Sequence, residues 1–279
     1  MDSSEDSNHI VTEYEWRKID LRSLLIPSMR CHSAAALVGG NIWLIGGRGV
    51  GQFNEVWCFS LQERMWERIT YTGEYPSPRD GHTATGIGNN EIIVFGGQGL
   101  CKPPESDRAD RYSENQKIKA LFQREVYNDL YLFQCDTKRW SLLVRKSRCP
   151  TGRRGHSTIF IPPPPEQVRV PSRHQKARVN FKPVEGLLES NTKGLLVVYG
   201  GACIESAWGM EQLSNELWVY NVSTCIWTLQ KSRGAHPPPM YEHAAVYTNE
   251  QIIISGGIIA PHRVDPEEST KRVGKYSIA

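Results

Sequence analysis

A double glycine closes an apolar run four times along this 279-residue chain: Ile42–Gly47 (IWLIGG), Ile92–Gly97 (IIVFGG), Leu195–Gly201 (LLVVYGG) and Ile252–Gly257 (IIISGG). Each run has the length and the β-branched or aromatic content of a buried strand. Glycine at the exit permits the positive φ of a tight turn. A feature recurring at this period marks a chain built of stacked, similar units, which constrains the fold more than any composition value.

Two further elements recur with the first. Asn54-Glu55-Val56-Trp57-Cys58-Phe59, Asn128-Asp129-Leu130-Tyr131-Leu132-Phe133 and Asn215-Glu216-Leu217-Trp218-Val219-Tyr220 each place aromatics two apart, on one face of a strand. Six residues lie between each last aromatic and a Trp: Trp66, Trp140 and Trp227. Sixteen positions after each of these comes a His, namely His82, His156 and His243, and the same step runs from Trp16 to His32. The first three of these loops carry Arg before the His (Arg30, Arg79, Arg153), and the fourth has Met240 and Tyr241 in that region.

Each unit therefore reads as four short strands, a to d: His strand, double-glycine strand, Asn-aromatic strand, Trp strand. Four antiparallel strands in roughly 50 residues make one propeller blade. The pattern resembles the kelch repeat, whose hallmarks are the double glycine and the spaced Tyr and Trp. The resemblance runs from about Trp16 to Gly257. It implies an all-β, kelch-type β-propeller with four recognisable blades, either an unusually small ring or an incomplete one. Residues 1–12 are expected to be a disordered segment and 13–279 the propeller domain. One blade of such proteins often combines strands from both termini, so Trp16 is expected to supply the d strand of the blade holding His243 and Gly257. Val273–Ile278 is the candidate for that blade's c strand. An incomplete ring would expose strand edges and core.

Loop lengths set two insertions apart. From the second glycine to the Asn is 7 residues in the first unit, 31 in the second and 14 in the third, so 98–125 is a long b–c insertion, with Glu114–Arg124 as a candidate helix. From the His to the first glycine is 14, 14, 44 and 13 residues, so 162–193 is an a–b insertion on the opposite face. It opens with four prolines and turns basic, the pattern of a stiff, solvated loop.

Composition bounds the function. Lys and Arg total 33 against 30 Asp and Glu, a net charge of +3, too balanced to imply nucleic-acid binding. No run approaches the ~18 apolar residues of a membrane span. Met1–His9 is polar and acidic, so no secretory signal is expected. Seven cysteines without a CxxC pair argue against a zinc ribbon or a full disulfide framework, and free thiols suit the cytosol or nucleus. The Asn221-Val222-Ser223 sequon reads as a turn.

The repeated Trp and His read as architecture: bulk for packing between blades, and a polar group needed once per blade. No metal or cofactor is expected. Function belongs to the loops, mounted on rigid blades. Relatives in the kelch family act mostly as adaptors or scaffolds, including ubiquitin-ligase receptors and cytoskeletal proteins. The resemblance implies a non-catalytic protein-binding module. The candidate contacts are Arg48, Arg79, Arg153, Arg154, Trp208 and Tyr241, on the face shared by the d–a and b–c loops. The arginines suit an acidic or carboxylate-bearing peptide. Packing between blades competes with that role at Arg79 and Arg153. The alternative is a propeller enzyme, an oxidase or a sugar-processing enzyme, with its site in the central channel. No spacing of Tyr, His and Cys picks out such a site.

Overall fold

Why the chain falls into blades is visible in the strand pairing. A computed structural model describes residues 15–100, 124–163, 193–204, 211–231, 234–248, 251–259 and 276–278, the last by backbone alone. Blade 1 is an antiparallel sheet of β1 (Ala34–Val38), β2 (Asn41–Ile45), β3 (Val56–Ser60) and β4 (Met65–Ile69) in that order. The short strand β5 (Thr72–Gly73) leads on to blade 2, where β6 (Thr83–Ile87) pairs with β7 (Glu91–Phe95). The hairpin β8 (Gln98–Leu100) and β9 (Arg124–Val126) rises between β7 and β10 (Leu130–Gln134), and β11 (Arg139–Leu142) closes the blade.

A second small sheet joins β12 (Arg153–Arg154) to β15 (Ala202–Ile204) and β16 (Glu211–Leu213). Blade 3 is β13 (Ser157–Ile161), β14 (Leu195–Tyr199), β17 (Leu217–Asn221) and β18 (Ile226–Gln230). Blade 4 has three strands among the described residues: β19 (Met240–Thr248), β20 (Gln251–Ile259) and β21 (Tyr276–Ile278). The last lies within the segment expected as the missing c strand.

Each blade is apolar on both faces, so blades must stack. One core unites the Trp43, Ile45 and Val56 face of blade 1 with Ile92, Val94, Phe133 and Trp140 of blade 2. A second joins Ile93, Phe95 and Leu130 of blade 2 to Leu196, Val198, Trp218 and Trp227 of blade 3. A third joins Val197, Tyr199 and Val219 of blade 3 to Met240, Ile252 and Ile254 of blade 4. Aromatic pairs form across the c and d strands: Phe59–Trp66 at 5.0 Å, Phe133–Trp140 at 4.8 Å and Tyr220–Trp227 at 4.9 Å between ring centroids.

Two expectations need correcting. Trp16 is not the d strand of blade 4: it is fully exposed and lies outside any strand. His32 is not the repeat partner of the other three histidines. A side chain on Gly97, Gly201 or Gly257 would meet the Cβ of His82, His156 or His243 within 2.9 Å, and on Gly47 it would meet Ser33 at 2.8 Å. Ser33 therefore occupies the histidine position of blade 1, and His32 stands one residue earlier. Spacing measured from Trp16 missed this because the first connection is one residue longer, 14 residues from Trp16 to Arg30 against 13 from Trp66 to Arg79.

The proposed disordered segment 1–12 lies outside the described residues, as does most of each insertion. The 98–125 insertion begins and ends in paired strand, and Arg124, expected at the end of a helix, is extended in β9.

Candidate functional site at the channel mouth

Four consecutive residues in each d–a loop build the mouth of the channel. They are Arg30-Cys31-His32-Ser33, Arg79-Asp80-Gly81-His82, Arg153-Arg154-Gly155-His156 and Met240-Tyr241-Glu242-His243. Each position has one task.

The first position clasps its own blade. Arg79 is 1% exposed and Arg153 0%. Arg79 binds both carboxylate oxygens of Asp129 and donates from Nη1 to the Gly96 carbonyl at 2.9 Å. Arg153 donates to Glu216 Oε2 and to the Gly200 carbonyl, both at 2.9 Å. Arg30 does the same with Glu55 at 2.8 Å and the Gly46 carbonyl at 3.2 Å. Arg30 and Arg79 also lie 4.3 Å above the rings of Phe53 and Tyr127. The acids are thus the second letters of the Asn-Glu and Asn-Asp pairs that open the c strands. Glu55 and Glu216 also accept from the indoles of Trp57 and Trp218. Burial pushes both carboxyls up, but these indole and arginine bonds outweigh it and hold them below the usual range. Arg79 and Arg153 are therefore corrected as partner contacts: their guanidinium groups are buried and engaged within the blade. Blade 4 has Met240 here, fully buried in the third core.

The fourth position ties each blade to the one before. His82 Nε2 donates to the Ile45 carbonyl at 3.1 Å, His156 Nε2 bonds Thr83 Oγ1 at 3.0 Å, and His243 Nε2 bonds Ser157 Oγ at 2.8 Å. Burial lowers all three, His82 to about 3 and His243 to about 4, and the neighbouring Arg79 and Arg153 charges add to it at His82 and His156. They are neutral at pH 7 and serve as uncharged links.

The third position forms a belt. Gly81 N–H donates to the His32 carbonyl at 2.9 Å, Gly155 to Gly81 at 2.8 Å, and Glu242 to Gly155 at 2.6 Å. All four residues have positive φ, 53° to 66°. Glycine adopts this without cost, and a side chain there is strained. His32 and Glu242 bear it, and their side chains meet at the mouth, Nδ1 to Oε1 3.8 Å, linking blade 1 to blade 4.

The second position carries the side chains that vary most: Cys31, Asp80, Arg154 and Tyr241. Its backbone pairs with the b–c loop of the same blade, Cys31 with Arg48, Asp80 with Gln98, Arg154 with Ala202 and Tyr241 with Ile258. Asp80 is buried, accepting from Gln52 Nε2 at 2.7 Å and Gln98 Nε2 at 2.8 Å. Arg154 pairs with Glu211 and lies 5.4 Å from the Tyr241 ring. Of the residues expected from sequence, Arg154 and Tyr241 are thus brought together. Arg48 is half-buried on the blade 1 loop, and Trp208 lies outside the described residues. Sequence reasoning missed Asp80, His32 and Glu242 as site residues, although the recurring Arg beside Asp80 and His32, and the His243 next to Glu242, were a signal.

The blades, their double-glycine exits and the clasped loops define a kelch β-propeller. The KLHDC2/KLHL20/DRC7 Kelch-repeats domain model matches residues 6–163, more than half of the chain, and the chain belongs to this family. It is 24% identical over 274 residues to Kelch repeat-containing protein 2 of Saccharomyces cerevisiae, covering 92% of this chain and 25% of that protein. It is 28% identical over 136 residues to Rho GTPase-activating protein gacHH of Dictyostelium discoideum, covering 48% of this chain and 8% of that one. The chain spans between 8% and 62% of the length of the curated relatives it matches. Among solved structures, that of YjhT superposes with a TM-score of 0.50 at 16% identity, covering 82% of this chain and 59% of that one, a likeness of fold.

Proposed function

We propose that the chain is a non-catalytic protein-interaction module, an adaptor or scaffold, that engages its partner at the channel mouth. One observation carries this reading. The first and fourth loop positions are spent on holding the blades, while the second and third repeat the same backbone with different side chains: Cys31, Asp80, Arg154 and Tyr241, then His32 and Glu242. Asp80 is buried, but the other five reach the surface, and a rigid frame displaying varied side chains is the arrangement of a recognition surface. The hairpin β8–β9 and the sheet β12–β15–β16 are built from b–c and d–a loops, which share one face because antiparallel strands alternate direction. Arg154, Tyr241 and Arg48 are the contacts we assign. An acidic partner side chain would compete with Glu211 for Arg154, a charge-assisted exchange.

The test is affinity purification of the tagged chain from cell extract with mass spectrometry, beside an Arg154→Glu, Tyr241→Ala variant of unchanged melting temperature. Proteins that co-purify with the parent and are lost from the variant support the reading. Partners retained in full by the variant overturn the assigned face.

A further inference from the structure

Blades 1 and 2 build the same socket and finish it differently. Its floor is the Asn before the c strand, and its wall is the chain leaving the d strand. In blade 2 the chain fills the socket itself. Arg145 Nη1 donates to Asn128 Oδ1 at 2.8 Å and to the Asn128 carbonyl at 3.4 Å. Asn128 Nδ2 in turn donates to the Pro150 carbonyl at 3.2 Å. The carboxamide is thus engaged at both ends, with an arginine on its oxygen.

In blade 1, Tyr71 stands where blade 2 has Arg145, five residues after the d-strand Trp in each case. The strand register agrees: Ile69 lies opposite Val56 as Leu143 N–H meets the Leu130 carbonyl. Tyr71 keeps one of the two bonds, donating from Oη to the Asn54 carbonyl at 2.9 Å. The second bond has no counterpart, and among the described residues the Asn54 carboxamide has no hydrogen-bond partner. Here the structure has a cavity of about 300 Å³ lined by Asn54, Glu55, Arg68, Ile69, Thr70 and Tyr71. That is the lower end of the range for ligand pockets, a volume suited to a single side chain.

The acid next to the Asn differs as well. Asp129 gives both oxygens to Arg79. In Glu55 only Oε2 is held from inside the blade, by Arg30 at 2.8 Å and the Trp57 indole at 3.0 Å. Oε1 is left to Arg68, whose Nη2 is 2.9 Å away and whose side chain is 61% exposed. Blades 2 and 3 have leucines at this position: Leu142 and Leu229 lie opposite Tyr131 and Trp218 as Arg68 lies opposite Trp57. The cavity therefore combines a carboxylate oxygen held by one exposed arginine with a carboxamide whose counterpart in blade 2 binds an arginine. An exposed ion pair contributes little and exchanges readily.

We infer that this cavity is a socket for an arginine side chain of a partner protein, whose guanidinium takes Glu55 Oε1 and the Asn54 carboxamide oxygen while Arg68 swings into solvent. The planar fork of a guanidinium can span two acceptors, and a single ammonium serves them less well. One cation replaces another, so the charge beside Glu55 and Arg30 is unchanged. The stem of the incoming side chain has Ile69 and the Tyr71 ring to lie against. The inference rests on the reading of the chain as a protein-binding module and adds a second contact on the same loop face. Its preference is the reverse of that at Arg154, a base here and an acid at the mouth.

The test titrates the full chain with acetyl-Gly-Arg-Gly-amide and follows the Asn54 side-chain amide and the Arg68 Nε–H by NMR. Saturable shifts are expected at roughly millimolar peptide, the strength of one charge-assisted contact. Asn54→Ala should weaken binding by roughly fivefold or more, the loss of one hydrogen bond to a charged group. Arg68→Leu removes the competing cation and should tighten binding about threefold. Tyr71→Arg supplies the side chain that fills the socket in blade 2 and should abolish binding. Melting curves check that each variant is folded, and should Tyr71→Arg fail to fold, the other two decide. No saturable shift at about 10 mM peptide, far above the expected range, overturns the inference. Weaker binding by Arg68→Leu, or tighter binding of acetyl-Gly-Glu-Gly-amide, also overturns it, since Arg68 would then be the recognition group for an anion. Free arginine bound much more tightly than the capped peptide overturns the protein partner in favour of a small molecule. The titration uses purified chain and a probe for this cavity, so its failure leaves the contacts assigned at the mouth standing, and their failure leaves its result standing.

Discussion

Arg79 and Asp129 lie 50 residues apart in sequence and close on each other through two parallel hydrogen bonds, Nη1 to Oδ1 at 2.5 Å and Nη2 to Oδ2 at 2.9 Å. The arginine is buried to 1% exposure, and the same guanidinium caps the Gly96 carbonyl. One side chain thus ties the d–a loop, the end of β7 and the start of β10 into a single unit.

Removing it leaves a carboxylate and a carbonyl without their donor. Arg79→Ala is expected to destabilise the fold by about 3 kcal/mol, the range for breaking one side of a buried ion pair. Arg79→Lys should recover only part of this, because a single ammonium cannot reproduce the fork. Urea unfolding of the three proteins measures both. Equal stability of parent and Arg79→Ala would show that the clasp contributes nothing.

The buried histidines set an acid limit. His82, His156 and His243 have folded-state values below the ordinary 6.5. Between those values and 6.5 the unfolded chain binds more protons than the folded one, so stability falls as pH drops through this window. At pH 4.5, His82 alone should remove about 2–3 kcal/mol relative to pH 7. The carboxyls of Glu55 and Glu216, held low, add a second loss below their ordinary 4.5. Denaturation midpoints taken from pH 7.5 to 4.5 should decline steadily, and His82→Gln should flatten the slope.

Gly97 is packed so that an added Cβ would stand 2.7 Å from the His82 Cβ and 2.8 Å from the Asp80 carbonyl, at a φ of +89°. Backbone and link would both have to move. Gly97→Ala should therefore cost more than about 2 kcal/mol, combining overpacking with positive-φ strain. Gly40→Ala, also at positive φ but with open space around the new carbon, should cost less. Thermal melts of the two variants separate crowding from strain.

Thiol reactivity should follow burial. Cys31 is exposed at the mouth, whereas Cys58, Cys135 and Cys203 are buried. Burial raises the Cys58 thiol and takes Cys135 up to about 12, leaving almost no thiolate at neutral pH. Iodoacetamide followed by peptide mapping should label Cys31 first, and Cys58 and Cys135 only after unfolding. Early labelling of Cys135 would mean that the first and second blades separate readily.

The sequence alone determined the blades. Strand identity follows from short-range features, such as a run ending in two glycines or aromatics two apart, and the chain reports these at every repeat. It also determined which loops lie on one face, because antiparallel strands alternate direction. What it could not decide is which member of a cluster faces inward. Arg153 and Arg154 are adjacent and chemically identical, yet one is buried against Glu216 and the other stacks beside Tyr241 at the mouth, since successive residues of an extended chain point to opposite sides. His32 looked like a fourth histidine link until the packing of Ser33 on Gly47 set the register. Trp16 carries the mark of a d strand, but a strand needs a neighbour, and the tertiary arrangement leaves Trp16 exposed and outside any sheet. Local chemistry names the parts. Their partners are chosen by contacts between residues far apart in sequence, and those contacts exist only once the blades have stacked.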